Sequence, residues 1–285
     1  MAALTITREN AAEISGKLAS FPHFVTEILR TLDDPDANLK ILVEHIQRDP
    51  VISARVLSRA NAAGSRTRGS AAIQNIYTAT SLIGMRNVRE MTVISSLASF
   101  VDSIAPPGLP VTFWQHNVAA GVCSVEMALH MTAPVSIDAA LIAGLLHDIG
   151  QLWLYRMDPA GCHAAWAEAN TSNSGIDIVE REHFGVDHAT IGGWLAEHWS
   201  LPANITAAIA HHHAPDEALH EPLVPLVYIA EVLSNALDLT GRDENRVTTL
   251  SAPACKALGL VWNAELRPLF GRMEARSRHA NAMFQ

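Results

Sequence analysis

Ala143-Gly144-Leu145-Leu146-His147-Asp148-Ile149-Gly150 sets an imidazole and a carboxylate side by side at the end of an apolar run that begins at Ala139. Alanine and leucine in succession favour a buried helix. An ionisable pair at the end of such a helix is costly without a metal ion or a counter-charge. The two groups can face one cavity there, and the carboxylate can bridge two cations. This stretch therefore predicts a helical lobe built around a polar site.

The remainder of the 285 residues reads the same way. The chain is 49% hydrophobic but only 6% aromatic, and alanine and leucine are abundant while Val/Ile/Thr alternation is scarce, so the expected fold class is all-α. Near the N-terminus, Asn38 is expected to cap a helix carrying Leu39, Leu42, Val43 and Ile46 on one face. Asp49-Pro50 supplies a cap and a first-turn proline for the next helix, with Ile52, Val56, Leu57 and Ala60 as its stripe. Residues 64–69 read as a loop. Ile73, Ile76, Ala79, Thr80 and Ile83 then form a stripe stopped by Gly84, and a long helix runs to about Ile104, with Met85 and Met91 read as core. Ala105 to Pro110, holding three prolines and a glycine, cannot continue a helix and marks the expected boundary. Residues 1–108 form an N-terminal helical bundle in this reading and 109–285 a second helical lobe. Helices in the second lobe are predicted around 111–131, 136–148, 159–170, 176–183, 187–199, 203–212, 223–239 and 263–280. The last carries Leu266, Leu269, Phe270 and Met273 on one face, to pack on its own lobe or on a second copy in a homodimer.

Several function classes fall away on composition. A formal charge of -9 opposes nucleic acid and anionic lipid as partners, and no lysine/arginine cluster offsets it. The longest apolar runs, Ala139 to Leu146 and Val224 to Ala230, stop well short of the roughly 20 residues needed to span a bilayer. The start, MAALTITREN, lacks the pattern of a signal peptide, so a cytoplasmic location is expected. Cys123, Cys162 and Cys255 are widely spaced and odd in number, which fits buried free thiols better than a disulfide framework or a zinc site. Asp33, Asp34 and Asp36 read as a solvated acidic turn, and most of the six tryptophans as packing anchors.

Eleven of fourteen histidines fall between His116 and His220, about twice what an even spread would place there. A lone histidine is more often a surface or satisfied core group than a ligand, so His23, His45, His130, His163, His198, His220 and His279, which lack a partner pattern, are set aside. His188 differs because Gly192-Gly193 follows it, where a neighbouring helix can approach closely. His211-His212-His213 end another helix just before Pro215, at a position that also favours cations.

His116, the His147-Asp148 pair, His188 and the His212-His213 pair follow the order of histidines and aspartate in the HD superfamily, with Glu231 at the last position, where aspartate is usual. Within that superfamily the chain resembles the HDOD family of HD-related output domains. Phe21-Pro22, Ile46-Gln47-Arg48-Asp49-Pro50, Arg55-Val56-Leu57, Ala60-Asn61 and Ile83-Gly84-Met85 are similar to its N-terminal signature, and Gly144 to Leu152 with His212-His213-Ala214-Pro215 to its C-terminal one. The resemblance implies an all-α protein with an N-terminal bundle and an HD-like lobe. It also implies a regulatory role toward a kinase, cyclase or response regulator, and one or two divalent ions (iron, manganese, zinc or nickel) on His116, His147, Asp148, His188, His212, His213 and Glu231.

The alternative it implies is a metal-dependent phosphodiesterase acting on nucleotides or cyclic dinucleotides, as in the HD-GYP relatives; other relatives hold mixed-valence iron. Three departures count against hydrolysis. Gln151 stands where those enzymes carry a lysine, Ala214-Pro215-Asp216-Glu217 replaces their Gly-Tyr-Pro segment, and Glu231 replaces aspartate. Few cations lie near the motifs, Arg156 and Arg181 being the nearest in sequence.

Overall fold

Helix punctuation in the first hundred residues is visible in the backbone. In the computed structural model, which describes residues 6–8, 20–30, 35–64, 72–131, 135–240 and 250–282, Asp49 Oδ1 accepts hydrogen bonds from Val51 N at 2.8 Å and Ile52 N at 3.0 Å. It thereby satisfies two of the donors that a helix start leaves open. No strand occurs among the described residues, and the chain is all-α. The described residues divide into two compact units, one within 21–102 and one within 103–282 together with residues 6–8 and 20.

The first unit contains α1 (His23–Arg30), α2 (Pro35–Arg48), α3 (Pro50–Gly64), α4 (Ile76–Ile83) and most of α5 (Met85–Ile104). Ile28, Ile46, Val56, Ala79, Ile94 and Leu97 lie at the centre of its core. Asn61 joins α3 to the segment before α4: its amide donates to the carbonyls of Leu57 and Ile73, and its carbonyl accepts from Ile73 N at 2.8 Å. Gly84 ends α4 with φ 89°, a conformation that costs glycine little. Two expectations are corrected. Asn38 does not cap α2, because that helix already begins at Pro35, a residue suited to a first turn. Met85 is exposed, at 42%, because it opens α5 directly after the turn at Gly84, whereas Met91, farther along the same helix, is buried. Asp33, Asp34, the Asp36 side chain and residues 65–69 lie outside the described residues.

The second unit is built around α7 (Ile137–Leu146), every residue of which from Ala139 onward is buried. Fully burying a leucine or isoleucine stabilises by about 1.5–3 kcal/mol, and Leu141, Ile142, Leu145 and Leu146 all make that contribution. The helix packs on α6 (Val111–His130), against which α13 (Leu223–Ala236) and α15 (Arg267–Ala282) also lie. The approach of α7 to α6 is close: a Cβ on Gly144 would stand 2.6 Å from Ser124 Oγ and 2.8 Å from Gly121 Cα. Between α7 and α13 the chain forms α8 (Ile149–Met157), α9 (Pro159–Ser172), α10 (Ile176–Phe184), α11 (His188–His198) and α12 (Ala203–His211), and α14 (Ala252–Ala257) follows α13. Helix α8 was not among those expected. Its residues Ile149 to Tyr155 are all buried, so it shows no amphipathic stripe.

By length and composition, the stretch Ile137–Met157 could cross a membrane, but its apolar window is 89% buried within the fold. All three cysteines are buried and unpaired with one another. The closing helix α15 buries Leu269 and Met273, and Arg272 and Arg276 reach from it to the buried carboxylate of Glu126 on α6.

Candidate metal centre

Five segments of the second unit bring the seven sequence-selected groups together. His116 projects from within α6, and Glu231 from α13. His147 and Asp148 form the break between α7 and α8, where Asp148 adopts φ -93° and ψ 11°. His188 is the first residue of α11, fixed there by Asp187, whose side chain accepts from Thr190 N at 2.7 Å. His212 and His213 follow the last turn of α12. The Gly192-Gly193 pair has the expected use. A Cβ at Gly192 would stand 2.8 Å from the Ile209 side chain, and one at Gly193 would stand 2.9 Å from Ala210 Cβ. Helix α12, and with it His212, can therefore lie directly on α11.

The donor atoms form two groups, each with all its atoms within 4.8 Å of one another: Asp148, His188, His212 and His213, and then His116, His147 and Glu231. Asp148 faces both. Its Oδ1 lies 3.2 Å from His188 Nε2, 3.5 Å from His147 Nε2 and 3.6 Å from His212 Nε2, while its Oδ2 lies 3.5 Å from His116 Nε2.

Backbone and carboxylate acceptors fix the tautomers. A carbonyl oxygen can only accept, so His147 donates from Nδ1 to Gly144 O at 2.8 Å and His212 from Nδ1 to Ile209 O at 2.7 Å. His188 donates from Nδ1 to Glu180 Oε2 at 2.5 Å. The Nε2 atoms of these three rings, when neutral, are bare lone pairs. They point into the cluster: His147 to His116 at 3.2 Å, His188 to His212 at 3.1 Å, and His213 Nε2 to His188 Nε2 at 2.9 Å. Lone pairs that converge without a shared proton or cation repel one another. Two imidazole nitrogens bound at 2.0–2.1 Å to one tetrahedral ion lie about 3.3 Å apart, so the observed spacings fit a divalent transition ion with little adjustment. Mixed nitrogen and carboxylate donors suit the same metals.

Charge in the cluster is arranged to receive a cation. His147, His188 and His212 are 0% exposed, so water cannot solvate them. Burial pushes His147 down to about 4. Burial, followed by the neighbouring imidazoles of His212 and His188, holds His213 well below its ordinary range. Against its own burial, Asp148 is kept well below the usual carboxylate range by the imidazoles of His147, His188 and His212. Also against burial, the carboxylates of Glu180 and Asp148 hold His188 well above its ordinary value, an environment that favours positive charge at that ring.

The cluster opens on a cavity of about 520 Å³. His116, Asp148, His213 and Glu231 line it, together with Phe113, Gln151, Trp166, Asn170, Asn173 and Asn235 among others. Among the described residues, no lysine or arginine lines it. Arg156 donates instead to the Ile104 carbonyl, and Arg181 pairs with Asp177 and Asp187.

Sequence reading missed Glu180 and the cavity wall. Glu180 had a legible signal, because it shares the Ile176, Val179 and Phe184 stripe of α10 and is buried there. The wall from Trp166 to Ile176 comes from the α9–α10 corner and has no local signature.

Comparison with known proteins agrees with this architecture. The HDOD domain model matches residues 18–215. An uncharacterized protein of Treponema pallidum (strain Nichols) is 25% identical over 244 residues, which is 82% of this chain and 46% of that protein, so the chain spans about half the length of this relative. An HDOD domain protein from Geobacter sulfurreducens superposes with a TM-score of 0.71 at 20% identity, covering 96% of this chain and 99% of that one. A Marinobacter aquaeolei protein, provisionally described as a signal transduction protein, superposes with a TM-score of 0.71 at 22% identity, covering 100% of this chain and 63% of that one. With more than half of its length matched by the family model, the chain belongs to the HDOD domain family.

Proposed function

We propose that this chain is a regulatory output module of a bacterial signalling system, which engages a kinase, cyclase or response regulator by protein contact while its histidine cluster holds one or two divalent ions. Membership of the HDOD family supports the signalling part, as does the provisional description of the Marinobacter neighbour. The observation that carries the reading is a mismatch: a full set of metal donors lines a cavity to which the described residues contribute no lysine or arginine. Catalysts of phosphoryl chemistry place arginine, lysine or metal charge where negative charge develops. Gln151 offers this cavity only a neutral amide.

The second reading is a metal-dependent phosphohydrolase, favoured by Asp148, which lies within 3.6 Å of histidine nitrogens of both donor groups, as a bridging carboxylate would. A bound divalent ion would supply Lewis acidity and a lowered water pKa. His116, His147 and Glu231 would hold one ion, and Asp148, His188, His212 and His213 the other. The deciding experiment incubates metal-loaded protein with cyclic dinucleotides and with bis(p-nitrophenyl) phosphate. We expect no turnover above buffer. Hydrolysis that disappears in His147→Ala would replace the regulatory reading with the hydrolytic one.

A further inference from the structure

Glu180 is 2% exposed and lies on α10, outside both donor groups. Its Oε2 accepts two hydrogen bonds, from His188 N at 2.8 Å and from His188 Nδ1 at 2.5 Å. Its neighbour Arg181 turns away to Asp177 and Asp187. A buried carboxylate is costly unless charge of opposite sign is near. Here the route to that charge runs through one ring, from Glu180 to His188 and on to whatever His188 Nε2 binds.

We propose that Glu180 is a positioning residue that orients His188 toward a cation and makes the Asp148, His188, His212 and His213 group the tighter of two cation positions. The inference rests on the reading of the cluster as a metal centre. A carboxylate behind a ligating imidazole fixes its tautomer and raises its basicity, and removing such a partner typically costs 10–100-fold in metal affinity. At the second position the support is weaker. His147 Nδ1 leans on the neutral Gly144 carbonyl, and Glu231 is only partly buried. His212 likewise leans on a carbonyl, at Ile209. Of the three rings whose Nδ1 acceptor is defined, only His188 has a carboxylate there. The two positions should therefore fill in order, the Glu180-backed one first.

The test is a cobalt(II) titration of the full chain against a competing chelator, followed by visible absorption, on the native sequence and on Glu180→Gln. The amide keeps the size and an acceptor but removes the charge, and circular dichroism checks that the helices persist. We expect two affinity classes in the native chain. In Glu180→Gln the tighter class should weaken by about 10–100-fold while the weaker class stays put. Independently of any variant, nitrogen-15 correlation spectra of the zinc-loaded native chain should show the His188 proton on Nδ1. Unchanged affinities in Glu180→Gln, equal weakening of both classes, or a proton on His188 Nε2 would each overturn the inference while leaving a metal centre in place. A native chain that binds no cobalt would overturn the metal reading and this inference together.

Discussion

The backbone carbonyl oxygen of His188 occupies the space that a side chain on Gly150 would need: a Cβ there would stand 2.0 Å from it and 2.8 Å from Gly192 N. Helices α8 and α11 thus touch backbone to backbone beside the cluster, two residues from Asp148 and at His188 itself. Because the obstacle is main chain, no rotamer change relieves it. We expect Gly150→Ala to separate the two helices, costing about 3 kcal/mol, the upper part of the range for overpacking, and to weaken metal binding as Asp148 and His188 move apart. Urea unfolding and metal titration measure the two effects; a variant with native stability and native affinity would show that the close approach is dispensable.

Metal binding should be visible as stability. An ion that binds only the folded chain adds about 2.7 kcal/mol at one hundred times its Kd, so zinc or manganese should raise the melting temperature and a chelator should reverse the rise. In His212→Ala the burial cost of the substitution appears with or without metal, and the quantity to compare is the metal-induced increment. We expect that increment to shrink to a small fraction of the native one, since His212 Nε2 sits 3.1 Å from His188 Nε2 at the centre of the first donor group. The absence of any increment with iron, manganese, zinc or nickel in the native chain would count against a metal centre.

The histidines were legible because chemistry needs particular residue types in a particular order, and the helices because most expose one face. Where those conditions lapse, so does legibility. Helix α8 is buried on all sides from Ile149 to Tyr155 and presents no stripe to read. Glu180 sat in plain view as an acid on an apolar stripe, yet its value depends on His188 lying against it, a tertiary fact. The wall formed by Trp166, Asn170 and Asn173 likewise exists only because α9 and α10 turn over the cluster. Asn38 looked like a cap because its residue type suits one, whereas Pro35 starts the helix earlier.

The closing helix is held by a buried anion. Glu126 is 2% exposed and accepts from Arg272 Nε at 2.7 Å and from Arg276. Removing the cations and leaving the carboxylate buried should cost more than neutralising the carboxylate, because an uncompensated buried charge is the expensive state. We expect Arg272→Ala with Arg276→Ala to lose about 3 kcal/mol and Glu126→Gln distinctly less, read by denaturant midpoints. The reverse order would mean that the arginines, rather than the burial of Glu126, set the energy of this contact.

We expect His45 to make the first unit sensitive to acid. Its ring stacks on Phe24 at 3.8 Å between centroids, and its Nε2 lies 3.3 Å from Ser96 Oγ. Burial lowers its pKa, and Arg48 and His23 add to the lowering against Asp49 and Glu27. A histidine whose pKa is lower folded than unfolded takes up its proton more readily in the unfolded chain. Stability is therefore complete above the unfolded value of about 6.5 and falls as pH drops from there toward the folded value. Replacing His45 by glutamine, which can still reach Ser96 but does not titrate, should flatten that part of the stability profile. Proton NMR of the His45 ring gives the folded pKa directly; titration at or above the unfolded value would remove the basis for the acid sensitivity.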